Sequence, residues 1–185
     1  MSVPAGVRAA IVGAVLIAAV STLGDFIWAG FGLRHRPAYG LAHGTLLFLC
    51  IGLYLGVTAR RPALGAFAGA LIGFAAAGSF YLLAPLAGYS VMFLVWFGLW
   101  IALGAFNGWL NGQIKLGGAF VRGIIAAVLS GLAFYLVSGI WLPFDPKGWD
   151  YLAHFGAWTL AYLPGFAALF IAANDANGPI RVIRG

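Results

Sequence analysis

The sequence has no glutamate at all and only four aspartates among its 185 residues. Charged residues make up 8% of the chain, against 63% hydrophobic. That balance excludes an ordinary soluble domain, which needs far more charge to cover its outside. This much apolar surface is hidden only if it faces lipid. The single cysteine, Cys50, lies inside an apolar run, so an internal disulfide is excluded. No basic run is long enough to follow a phosphate backbone. The net charge of +6 therefore does not point to nucleic acid. GxSxG, P-loop and strand-flanked GxGxxG motifs are missing, as is a well-spaced Cys–His pair. HxxxH and HxH spacings are missing too, and neither a metal nor a cofactor is expected. No pair of carboxylates lies inside the apolar runs, which weakens a proton-coupled transporter.

What is present is a set of six apolar runs, at roughly 7–30, 39–58, 63–87, 90–112, 117–141 and 150–173. Each can cross about 30 Å of hydrocarbon as a helix, and none alternates like a barrel strand. The connections are short and no linker divides the chain. The expectation is one all-α integral membrane domain over 1–185, with successive helices antiparallel. Arg8, Arg60, Arg61, Lys115, Arg122, Arg181 and Arg184 fall on one side, and Arg34, Arg36 and Lys147 on the other. By the positive-inside rule both termini are cytoplasmic. Trp28, Trp141, Trp149 and Tyr151 mark the outer interface. The run after Arg8 also looks like a signal peptide, but the repeat below argues against its removal.

Short segments recur in order. "GAFAGALIGFAAAGSFYLL" from Gly65 resembles "GAFVRGIIAAVLSGLAFYLV" from Gly118, and "YGLAHG" (39–44) resembles "YLAHFG" (151–156). Likewise "VWFGLW" (95–100) resembles "AHFGAW" (153–158). Three tandem hairpins, about 7–58, 63–112 and 117–173, explain these matches as a pseudo-threefold repeat around a central space. Gly65, Gly69 and Gly73 recur at every fourth position of the third run, and Gly104, Gly108 and Gly112 do so in the fourth. That spacing puts them on one face, where helix backbones approach closely. A groove for a sterol or acyl chain along the same smooth face is the sharper reading.

Polar residues concentrate in "GDFIWAGFGLRHRPAYGLAHG" (24–44). A carboxylate near lipid usually has a partner, and Arg34 or Arg36 is the natural one for Asp25. The pair is either a clasp closing the hairpin or a head-group or proton-handling site. The RHR triplet (34–36) is either a solvated turn or a phosphate or carboxylate fork. His35, His43 and His154 lie toward the outer side, satisfied by hydroxyls or carbonyls or touching lipid heads. Asp150 belongs in the first turn or at the N-cap of the last helix.

The chain resembles the Insig family of six-helix membrane proteins, nearly end to end. "HGTLLFLCIGLY" (43–54) is similar to that family's second helix and "IGFAAAGSFYL" (72–82) to its third. "LVSGIWLPFDPKGWDY" (136–151) is similar to its last outer loop. The resemblance implies a non-enzymatic binder that holds a sterol or similar lipid between helices. Animal members also retain a sterol-sensing partner in the endoplasmic reticulum. The turn "NGQIKLGG" (111–118) lacks the family's aspartate, which puts that partner function in doubt. The short tails and the alanine and glycine content point to a bacterial inner membrane.

The expectation is a binder of an apolar, sterol- or diacylglycerol-like membrane lipid, with homo-oligomers open to it. Candidate walls are Gly69, Gly73, Phe74, Phe80, Trp96, Trp100, Gly104 and Gly108. Candidate polar groups are Asp25, Arg34, Arg36, His43, Asp150 and His154. One rival is a lipid-head enzyme with His43 or His154 as acid or base and Asp25 and Arg36 orienting the head. Another is a small-solute transporter, which requires a polar stripe along several helices.

Overall fold

The computed structural model describes residues 3–33, 37–88, 90–113, 116–141 and 146–176. They form six helices and no strand: α1 (Ala5–Gly30), α2 (Pro37–Thr58), α3 (Pro62–Ala87), α4 (Val91–Leu110), α5 (Leu116–Trp141) and α6 (Asp150–Ala176). These bounds match the apolar runs to within three residues. The helices α1 to α5 are long and apolar enough to cross a membrane. Their outward faces carry bare apolar side chains such as Leu82 (76% exposed) and Leu86 (83% exposed), as a lipid-facing surface does. An integral multi-pass membrane protein fits these helices. The sixth run was expected to span as well, but α6 is less apolar. It carries His154, Trp158, Tyr162 and Pro164, and the bundle covers much of that polar content.

Turn chemistry explains where three helices stop. At the end of α1, Leu33 N–H bonds Trp28 O and Gly32 N–H bonds Ala29 O. The same pair of bonds ends α2, from Arg61 to Gly56 and Arg60 to Val57, and α4, from Gln113 to Gly108 and Gly112 to Trp109. Each is a Schellman cap, which requires a left-handed residue. Gly32 (φ 61°) and Gly112 (φ 69°) supply it without strain, whereas Arg60 (φ 59°) does so with a Cβ.

The closest helix pairs are α2 with α3, α1 with α6, and α4 with α5, while α1 and α2 touch lightly. The α5–α6 pair is nearly as close as α4–α5, so close packing falls both between the expected hairpins and within the third. Small residues explain the first and third pairs. Gly52 and Gly56 of α2 lie against Gly65 and Gly69 of α3, and a Cβ on Gly52 would come within 2.6 Å of Gly69 Cα. Gly104 of α4 lies against Gly123 of α5, and Gly108 against Ala119. Backbones meet here because no side chain intervenes. By contrast, α1 and α2 are held apart by side chains, with Tyr54 Oη donating to Ala9 O (2.6 Å). The core between the helices is aromatic: Trp100, Tyr162 and Phe166 are all fully buried.

Candidate functional site

The looser seams leave a cavity of about 350 Å³ to which all six helices contribute. Its deep part is apolar, with Leu47, Phe48, Ala76 and Leu99. Its other end, near the C-terminus of α1 and the start of α2, carries Asp25, Trp28 and His43. The cavity therefore has the two-part character of an amphiphile.

Two stripes build the polar end. On α1, Ser21, Asp25 and Trp28 stand four and three residues apart, so they share a face. On α6, His154, Trp158 and Tyr162 do the same. The stripes face each other. His154 Nδ1–H donates to Asp25 Oδ2 (2.9 Å), and Trp158 Nε1–H donates to the same oxygen (2.6 Å). Ser21 Oγ and Tyr162 Oη lie 3.1 Å apart, a turn deeper. Asp25 keeps 27% of its side-chain surface, while that of His154 keeps 9%. Across the cavity, the His43 ring lies against Gly24, where a Cβ would stand 2.6 Å from His43 Nδ1. Tyr39 stacks on His43 (centroids 6.3 Å) and also meets Trp28 (5.1 Å). Aromatic rings continue along the wall, with Phe134 stacked on Trp158 (5.2 Å) and on Trp96 (5.3 Å).

The expected site residues separate into groups. Asp25, His43, Gly73, Phe80 and Trp96 line the cavity together. Trp100 lies one turn beyond Trp96 in solid core, packed on Phe166 and against Gly165. Phe74 points outward. Gly69, Gly104 and Gly108 are closed by neighbouring helices, so their smooth faces are packing surfaces and not an open groove. Asp150 is in the first turn of α6, where a negative charge is favoured, and accepts from Lys147 N–H (2.9 Å). Arg34 and Arg36 lie outside the described residues. Among the described residues, the partners shown for Asp25 belong to α6.

Trp158 and Tyr162 carry the site's geometry without having been singled out for it by sequence, and Trp28, expected at the outer interface, lines the cavity. The signal was the four-residue spacing of polar and aromatic residues on α6, opposite a matching stripe on α1. Among the described residues, no group of His, Cys, Asp or Glu is placed to hold a metal ion. The chain matches no protein-family model, curated protein or solved structure.

Proposed function

We propose that this chain is a lipid-binding membrane protein that takes one amphipathic molecule into the cavity among its helices. The observation that carries this reading is the cavity itself, with apolar walls inside the bundle and a polar cluster at one end. A volume of about 350 Å³ falls within the range of small-molecule sites. A furrow of about 390 Å³ on the α3–α4 seam shares Ala76, Val95 and Leu99 with the cavity. That thin shared wall is the natural lateral route from the bilayer. The resemblance to the Insig family points the same way. On this reading the three hairpins surround the ligand, both termini face the cytoplasm of a bacterial cell, and Asp25 lies toward the outer leaflet.

The test is native mass spectrometry after mild detergent extraction. The reading predicts a single lipid-sized adduct, restored by added lipid after delipidation. An adduct-free spectrum that stays unchanged with added sterol, diacylglycerol or phospholipid contradicts it.

The rival with an observation behind it is a membrane enzyme, since Asp25 and His154 form a hydrogen-bonded dyad as acid–base pairs do. The Trp158 N–H on the same carboxylate oxygen is what a fixed structural tie needs, so binding remains the favoured reading. Turnover of an added lipid that is lost in His154→Gln would favour the enzyme.

A further inference from the structure

We infer that the molecule held in this cavity carries a positively charged head, a primary amine or quaternary ammonium, seated at Asp25. The inference rests on the cavity being a ligand site and adds the charge of the ligand to it.

The lining includes one carboxylate and, among the described residues, no lysine or arginine. His43, on the same wall, carries no obligatory charge. A carboxylate inside a membrane bundle is expensive unless something of opposite charge meets it. Of the two groups on Oδ2, the Trp158 N–H brings no charge and His154 brings one only when protonated. Both land on one oxygen, and no protein donor to Oδ1 is shown among the described residues. The side chain also keeps part of its surface on the cavity. A head group arriving there meets a carboxylate already fixed from behind.

The surroundings of that carboxylate point to the same class of ligand. Trp28 follows Asp25 by three residues on the same helix face, and Trp158 is bonded to it. Phe134 and Trp96 extend the wall. Rings beside a carboxylate suit a cation, whose charge is attracted by aromatic faces as well as by the acid. An anionic head would meet the Asp25 charge with no lysine or arginine among the described lining residues to offset it. A neutral alcohol would gain a hydrogen bond and leave the charge in place.

The test uses the full chain, delipidated and held in nanodiscs, with four probes that share one tail. These are decyltrimethylammonium, decylamine, decanol and decanoate, followed by tryptophan fluorescence and native mass spectrometry. Both cationic probes are expected to bind about tenfold or more tighter than decanol, with decanoate weakest. Asp25→Asn should erase the advantage of the cations over decanol. Trp28→Leu, which keeps the Asp25 bonds, should reduce the advantage of decyltrimethylammonium most. Competition from phosphatidylethanolamine in the nanodisc assigns the head to a bilayer lipid; competition from decylamine alone assigns it to a free amine. The charge inference is overturned if decanol or decanoate matches the cations in the wild type. It is also overturned if the cationic advantage survives Asp25→Asn. If no probe binds, decanol included, the cavity reading itself falls.

Discussion

At Asp25 one carboxylate oxygen of α1 receives two N–H groups of α6. Removing the carboxylate takes the shared acceptor from both donors in a half-buried place. Asp25→Ala should therefore lower stability by about 1–3 kcal/mol, read as a fall in melting temperature in detergent. Asp25→Asn keeps an acceptor oxygen and should lose less. Equal stability in Asp25→Ala and wild type would mean that the tie contributes nothing. Arg60 permits a test of opposite sign. It holds the left-handed position that Gly32 and Gly112 hold elsewhere, and a side chain there costs about 1–2 kcal/mol. Glycine's greater freedom in the unfolded chain takes back part of that. Arg60→Gly should raise stability by about 1 kcal/mol, and a lowered melting temperature would show that the arginine side chain matters more than its backbone. In the sequence Asp25 stood out because acids are so few. His154 was a candidate too, but its pairing and that of Trp158 with Asp25 were not legible, because they lie 129 and 133 residues away. Among the described residues α6 supplies the donors, while Arg34 and Arg36, the partners expected from sequence, lie outside them.

Helices were the most legible level. Apolar length set all six, and Pro37, Pro62, Gly32 and Gly112 mark their limits. Which helices pair closely was not legible, since an apolar run faces lipid or protein with the same residues. Glycine spacing gave a partial guide. Gly65, Gly69 and Gly73 did mark a packing face, but Gly52 and Gly56 on α2 are what they pack against. Two substitutions on α3 separate contact from propensity. At Gly69 a Cβ would press on the backbone at Phe48 and Gly52, whereas at Gly78 it would meet nothing within 4 Å. Gly69→Ala should cost about 1–3 kcal/mol. Gly78→Ala should be neutral or stabilising by up to about 1 kcal/mol. Thermal unfolding of the two variants side by side checks this, and similar effects at both positions would contradict the observed α2–α3 interface.

For the whole molecule, uneven packing is what makes room. The α1–α2 and α3–α4 seams are looser than the other neighbouring pairs, and the cavity is lined by all six helices. Composition pointed to a membrane bundle and the repeats to a central space. Neither located the cavity, because its walls are drawn from residues scattered between Gly24 and Tyr162. The polar cluster at one end gives that space a direction, head toward Asp25 and tail toward Leu47 and Leu99.

The most direct measurement fills the cavity and asks whether the ligand leaves. Ala76 is a small residue shared by the cavity and the α3–α4 furrow. Native mass spectra of wild type and Ala76→Trp, each confirmed helical by circular dichroism, should differ in one respect. The wild type should carry a lipid-sized adduct, and the filled variant should carry little or none. The same adduct at the same occupancy in both would contradict a ligand held inside the bundle.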